Sequence, residues 1–252
     1  VIFNYSLLKI NKIFFKKKNK NALKSPTIAI LTPSKQRVHK LKRMIDSLLS
    51  NTHNIDRIHV LILLDGDERD IDEYKFYVES TKKKLNISLY VKNEKNHNIR
   101  NNYLASKIDA DLYFPMNDDV IFILKDWDKY IDEIQSLLPE KPYSIWVKSD
   151  EKYDYLHCDF PIVNRMWYKK LNYIGNLYLN GFIDKWISEL GQLTKQFIIT
   201  KKKMLKHLNV GDSKSTEKKD QTYYDISSFH ESDKVLWKKT KYIRIKDAKK
   251  LR

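Results

Sequence analysis

The seven-residue run Ile58–Leu64, IHVLILL, constrains this chain more than any other segment. A short run so rich in branched apolar residues, closed by acids and a glycine, is a strand buried on both faces. Thr27–Thr32 (TIAILT), Ile87–Val91 and Leu112–Met116 share its character, and Tyr143–Val147 and Phe197–Thr200 extend the series. Between them the apolar spacing switches to the helical period. Val38, Leu41, Met44, Ile45, Leu48 and Leu49 mark one helix, and a second runs to about Lys84. Others cover Asn98–Ile108 and the stripe Trp127, Tyr130, Ile131, Ile134, Leu137 and Leu138. Such alternation predicts an α/β fold, with a mostly parallel sheet flanked by helices on both faces.

In sheets of this kind ligands sit beyond the carboxyl ends of the strands. The positions just past the first, second and fourth strands hold Pro33-Ser34, Asp65-Gly66-Asp67 and Asn117-Asp118-Asp119. Either acidic cluster alone is ordinary turn chemistry. Two at equivalent strand ends read as a site. The chain's glycines, Gly66, Gly175, Gly181, Gly191 and Gly211, never take GxGxxG or GxxxxGK[ST] spacing. That excludes a dinucleotide fingerprint, a P-loop and a kinase glycine loop. Without a glycine cradle, a divalent cation is expected to manage phosphate charge, and carboxylate oxygens suit Mg²⁺ or Mn²⁺. The lone Cys158 excludes a disulfide framework and a cysteine-cluster metal site, and no HExxH occurs.

Lys and Arg number 48 against 32 Asp and Glu, a net charge of +16. The lysines are spread along the chain, which reads as a solvated surface, and no nucleic-acid signature accompanies them. No nucleic-acid partner is expected. Residues 1–25 differ from the rest, carrying lysines and no acid, with Phe3, Leu7, Ile10 and Phe14 at helical spacing. They read as a basic amphipathic segment able to lie on an anionic membrane surface. Their apolar run is too short to span a bilayer. A cytoplasmic protein, peripheral on a membrane, fits this reading.

TIAILTPSKQR, HVLILLDGDE, NIRNNYLA and DLYFPMNDDV together resemble the nucleotide-binding half of GT-A glycosyltransferases, especially family-2-like enzymes. The resemblance covers roughly residues 27–120. It implies a GT-A-like, Rossmann-like sheet with a smaller acceptor-side region. It also implies a nucleotide-binding half over 26–120 and an acceptor-binding half over 121–252. Asn117-Asp118-Asp119 stands where the family carries its DXD-type motif, with Asn in place of the leading Asp. By that resemblance Asp119 is the metal ligand, and Asp118 reaches the ribose or shares the metal. Asp65 accepts from the base, Thr32, Pro33, Ser34 and Arg37 form the pocket around it, and Arg100 lies near the diphosphate.

Residues 157–190 are similar to the acceptor-side segment of the same enzymes. Ile183, Trp186, Ile187, Leu190 and Leu193 mark a helix with Asp184 in its first turn, where related inverting enzymes place a catalytic carboxylate. A helix-terminal acid favoured by the macrodipole is the plain alternative, and Glu189 is a weaker competitor. His207 resembles the histidine that completes many GT-A metal sites, with His230 as alternative. Gly211–Thr222 reads as a polar lid. Trp167 and Tyr168 are candidates for stacking on an acceptor sugar, although aromatics are also core residues. The reading is a metal-dependent transferase moving sugar from a nucleotide-sugar donor, such as a UDP-sugar, to a saccharide, lipid-linked or protein acceptor, with inversion. A retaining transferase, a metal-dependent nucleotidyltransferase and an inactive sugar- or nucleic-acid-binding protein are the alternatives.

Overall fold

The computed structural model describes residues 25–94, 96–149, 158–175, 178, 181–208, 224 and 228–252. All but one residue of the basic segment 1–25 therefore lies outside the described residues. Strands β1 (Ile28–Ser34), β2 (Ile58–Leu64), β3 (Asn86–Val91) and β4 (Leu112–Pro115) run parallel in the order β3-β2-β1-β4. Their side chains alternate between two cores, as a doubly covered sheet requires. Ile28, Ile30, Val60, Ile62 and Leu64 pack on one face. There they meet α1 (Val38–Asn51), α2 (Ile71–Thr81) and, further along the chain, α4 (Trp127–Ser136). Ala29, Leu31, Leu61 and Leu63 pack on the other face with Leu104 and Ala105 of α3 (His97–Ala105).

The second half of the sheet is antiparallel in part. β7 (Phe160–Asn164) lies between β4 and β6 (Ser144–Lys148), antiparallel to both, and β8 (Phe197–Lys203) pairs in parallel with β6. The seven strands follow the order β3-β2-β1-β4-β7-β6-β8. Periodicity does not announce β7, because it has five residues and contains Pro161, which argues against a central strand. The proline is tolerated because β4 reaches only Val163 and Asn164, so Pro161 is paired on the β6 side alone. Residues before and after position 120 thus contribute strands to one sheet.

The second face is completed by α5 (Arg165–Leu171), α6 (Ile183–Thr194), α7 (His230–Lys239) and α8 (Lys241–Leu251). A separate ribbon pairs β5 (Val120–Phe122) antiparallel with β9 (Leu205–His207). At the amino-terminal end of β2 a buried ionic lock ties the α1–β2 connection to α4. Asp128 accepts from the His53 and Asn54 amides at 2.8 and 3.1 Å and pairs with Arg57 at 3.0 Å. Arg57 also reaches Asp132 at 2.7 Å. Among the described residues no helix is long and apolar enough to cross a membrane.

Candidate functional site

The carboxyl ends of β1, β2 and β4 meet the start of α1 at one edge of the sheet. After β4 the chain turns through Asn117, Asp118 and Asp119 directly into β5, so both carboxylates are held between two strands. Asp118 is buried, accepts from Ser34 Oγ at 2.6 Å, and lies 3.4 Å from Arg37 Nη1. The Ser34 hydroxyl is 2.7 Å from the Tyr74 phenol, which itself accepts from the Arg37 amide at 3.0 Å. The direction of this chain is set at its start. An amide can only donate, so the phenol proton is available to Ser34 and the Ser34 proton to Asp118. Burial pushes the Asp118 carboxyl up to about 6, and neighbouring Asp119 adds to the rise while Arg37 and Ser34 oppose it.

Asp119 is treated differently by its surroundings. Burial favours its neutral form, but the His207 imidazole, together with Arg37 and Lys40, outweighs that effect and holds the carboxyl below its ordinary value. His207 is delivered by the ribbon: Val120 pairs with His207, and the Leu208 amide donates to the Asp119 carbonyl at 3.0 Å. The register places His207 Nε2 3.2 Å from Asp119 Oδ1, with the Phe160 ring edge-on to the imidazole at 5.0 Å.

The β2 end is organised around Asp65, 2.5 Å from Arg100 Nη2 and 3.3 Å from Lys35 Nζ. Arg100 and Asp65, which the resemblance assigned to diphosphate and base, thus contact each other. Gly66 follows because a Cβ there would stand 2.1 Å from Asn93 Oδ1. Glu68 accepts from the Gln36 amide at 2.8 Å and from the Asp70 amide at 3.1 Å. That carboxylate joins the β1–α1 and β2–α2 loops and supports Gln36 at φ 54°, a left-handed conformation unusual for a non-glycine residue. Thr32 and Pro33 are buried in β1 beside this edge, and Thr32 Oγ1 has no hydrogen-bond partner.

No family model matches the sequence, and no curated protein matches it. Solved structures do match the fold. TarS of S. aureus, as its 1–349 fragment with UDP, superposes with a TM-score of 0.57 at 12% identity, covering 71% of this chain and 60% of that one. The same fragment with UDP-GlcNAc gives 0.58 at 12% identity, covering 79% and 64%. The mannosyltransferase PcManGT of Pyrobaculum calidifontis, with GDP-Man and Mn²⁺, gives 0.59 at 9% identity, covering 74% and 59%. The fold is GT-A-like. The chain spans about 60% of the length of the TarS fragment.

Within this GT-A-like frame, Asp184 sits half-buried in the first turn of α6. Burial raises the Cys158 thiol well above its ordinary value, and the Asp184 charge adds to that rise. The Cys158 amide donates to Ser188 Oγ at 3.0 Å, one turn further along α6. Cys158 precedes β7, whose Phe160 touches His207. Helix α6 is therefore joined to the Asp119–His207 flank of the edge through the Cys158–Ser188 hydrogen bond and the Phe160–His207 ring contact. Glu189 is bound elsewhere, 2.8 Å from Arg244 Nε.

The two acceptor candidates lie away from the acidic edge. Trp167 is fully buried, donating from Nε1 to the Ile174 carbonyl at 3.3 Å, and Tyr168 packs on Tyr113 at 5.0 Å. Both belong to α5, which begins where Asn164 pairs with Leu112, at the amino-terminal end of β4 and away from the acidic edge. Neither is brought beside Asp119. The physical reason is the antiparallel β7, which carries the chain back across the sheet before α5 starts. Lys40, Tyr74 and Glu68 join the site as well. Tyr74 and Val78 show only as a core pair, and Lys40, buried at the start of α1, carries no sequence signal that separates it from surface lysines. The polar segment Gly211–Thr222 lies outside the described residues, as does the side chain of His230.

The Asp119–His207 pair fits a divalent cation in one specific respect. Asp119 Oδ1 is buried and faces His207 Nε2 at 3.2 Å, so a carboxylate oxygen and an imidazole nitrogen meet at one point away from bulk water. Carboxylate oxygen with imidazole nitrogen is a donor set that suits Mn²⁺. Among the described residues no group of three or more His, Cys, Asp or Glu forms a complete cage. Phosphate oxygens and water would have to fill the other positions, as is usual where such an ion binds a diphosphate.

Proposed function

We propose that the protein is a metal-dependent glycosyltransferase that moves a sugar from a nucleotide-diphosphate sugar, a UDP-sugar, to an acceptor hydroxyl with inversion. The observation that carries this reading is the buried Asp118-Asp119 pair at the strand-end edge of a GT-A-like fold, with His207 brought by β9 against Asp119. Asp119 and His207 would hold Mn²⁺ or Mg²⁺, which when bound neutralises the departing diphosphate. Asp118, aimed by Ser34 and Arg37, would accept from a ribose hydroxyl. Thr32, Pro33, Ser34 and Arg37 would shape the nucleoside pocket, with Asp65 and Arg100 closing its β2 side. Lys40 places a further positive charge behind both carboxylates and would limit their mutual repulsion before the donor arrives.

Asp184 would take the acceptor proton on its carboxylate as the hydroxyl attacks the anomeric carbon from the face opposite the diphosphate. A sugar hydroxyl is a weak nucleophile, and such a base typically contributes about 10²–10⁴-fold. The structures of TarS with UDP and UDP-GlcNAc support the choice of uridine, and that of PcManGT with Mn²⁺ supports the metal. The acceptor is a saccharide, lipid-linked or protein hydroxyl.

One panel tests both roles. In the wild-type protein UDP should raise the thermal midpoint only when Mn²⁺ is present. Asp119→Ala should abolish that shift while the ligand-free midpoint persists; an Mn²⁺-dependent shift equal to wild type would sink the metal assignment. Asp184→Asn should keep the shift and lose roughly 10²–10⁴-fold in transfer. Transfer within a factor of about three of wild type would remove Asp184 from the mechanism.

A further inference from the structure

The carboxy-terminal helix α8 has two faces with different tasks. Its inner face is fully used by the fold. Arg244, Asp247, Ala248 and Leu251 are buried, with Arg244 paired to Glu189 at 2.8 Å and Asp247 bonded to the Tyr173 phenol. Its outer face carries Lys241, Tyr242, Ile245, Lys246, Lys249 and Lys250, all exposed. At about 100° per residue these six side chains occupy one continuous arc of about 180°. Tyr242 and Ile245 lie inside that arc, 70% and 43% exposed, with Lys249 between them and lysines on both borders. The only acid of α8, Asp247, is buried. At the preceding corner α7 adds Lys238, Lys239 and the 53% exposed Val235.

A solvated helix face needs no aromatic or aliphatic side chain at its centre. Single exposed apolar residues are ordinary, whereas a group ringed by cations of one sign marks a contact surface. We infer that the outer face of α8, with the α7–α8 corner, docks the protein on an anionic lipid bilayer. Lysines at this surface meet lipid phosphates, while Tyr242 and Ile245 enter the boundary between headgroups and acyl chains. Aliphatic Ile245 and Val235 decide between a bilayer and a nucleic acid. A phosphate backbone rewards the lysines but offers no apolar layer to these two side chains. The inference is independent of the transferase reading, since no residue of the acidic edge takes part. It also stands without the basic segment 1–25, all but one of whose residues lie outside the described ones.

The test uses the full chain and co-sedimentation with phosphatidylcholine vesicles, with and without phosphatidylglycerol. Binding should require phosphatidylglycerol and weaken with salt, because the lysine contacts are screened. The double variant Lys246→Glu/Lys249→Glu should lower the partition coefficient at least about 20-fold, from about fivefold per lysine lost. Tyr242→Ser/Ile245→Ser should weaken binding at equal salt while leaving its salt dependence in place. All four side chains are exposed, so unchanged thermal midpoints will certify folding. The reversal Lys83→Glu/Lys84→Glu, equal in charge but on the α2–β3 connection, should retain binding. Equal losses from the two charge reversals would overturn the proposal in favour of overall positive charge. Wild-type binding by both α8 variants would move the contact to another part of the chain. Association with duplex RNA, without any to vesicles, would replace the bilayer by a nucleic acid.

Discussion

Asp118 is the residue whose environment most opposes its own charge. Its carboxyl sits at about 6 in the folded protein, above the ordinary 3.8. The folded state therefore keeps a proton that the unfolded chain has already released, and the associated stability is present below about pH 4 and lost as pH rises through 6. A rise of about two units corresponds to roughly 3 kcal/mol. Asp118→Asn cannot ionise, so in chelator its urea midpoint should move in the variant's favour, relative to wild type, between pH 4 and pH 6.5. A parallel pH dependence of the two proteins would show that Asp118 is not held up by burial. Asp119 works in the opposite sense, its lowered carboxyl contributing stability that acid removes. The two neighbours respond oppositely because His207 faces only one of them.

Among the elements, the short ones organise the site and the long ones hold it. β5 and β9 have three residues each, yet their register alone sets His207 against Asp119. At the other end of the sheet, Asp128 joins α4 to the α1–β2 connection through two backbone amides and Arg57. Removing its carboxylate leaves a buried guanidinium with only Asp132 and the Pro26 carbonyl, and leaves the His53 and Asn54 amides without their acceptor. Asp128→Ala should destabilise the fold by about 3–5 kcal/mol in urea unfolding. The UDP shift should survive below the new midpoint, because the lock lies at the opposite ends of the strands from Asp119. A loss below about 1 kcal/mol would mean that Asp132 and solvent satisfy Arg57 unaided.

For the molecule as a whole, one seven-stranded sheet spans both halves of the chain, and the described fold begins at Ser25 just ahead of β1. If residues 1–24 serve a surface contact, their deletion should leave the thermal midpoint and the UDP shift unchanged. A lower midpoint would show that the segment packs on the domain. Two basic regions, residues 1–24 and the outer face of α8, then offer separate routes to an anionic surface, and deletion of the first leaves the second intact.

The strands β1, β2, β3 and β4, the helices between them and the acidic turns at their ends were legible in the sequence by itself. Each rests on local periodicity: a buried strand must be apolar throughout, a half-buried helix must repeat every three or four residues, and turns collect Asp, Asn and Gly. The motifs past β1, β2 and β4 inherit their common edge from that parallel order. Tertiary structure decided the rest. β7 runs antiparallel to both β4 and β6, and its reversal carries buried Trp167 and half-buried Tyr168 to the far end of the sheet. Tyr74 and Glu68 bind the site loops through hydroxyl and carboxylate contacts that no spacing encodes. Lys40 is buried where its charge acts on both carboxylates of a turn distant in sequence. Asp119 and His207 meet through a three-residue ribbon, too short to leave a period in the sequence, whose pairing exists only once the sheet has brought its two strands together.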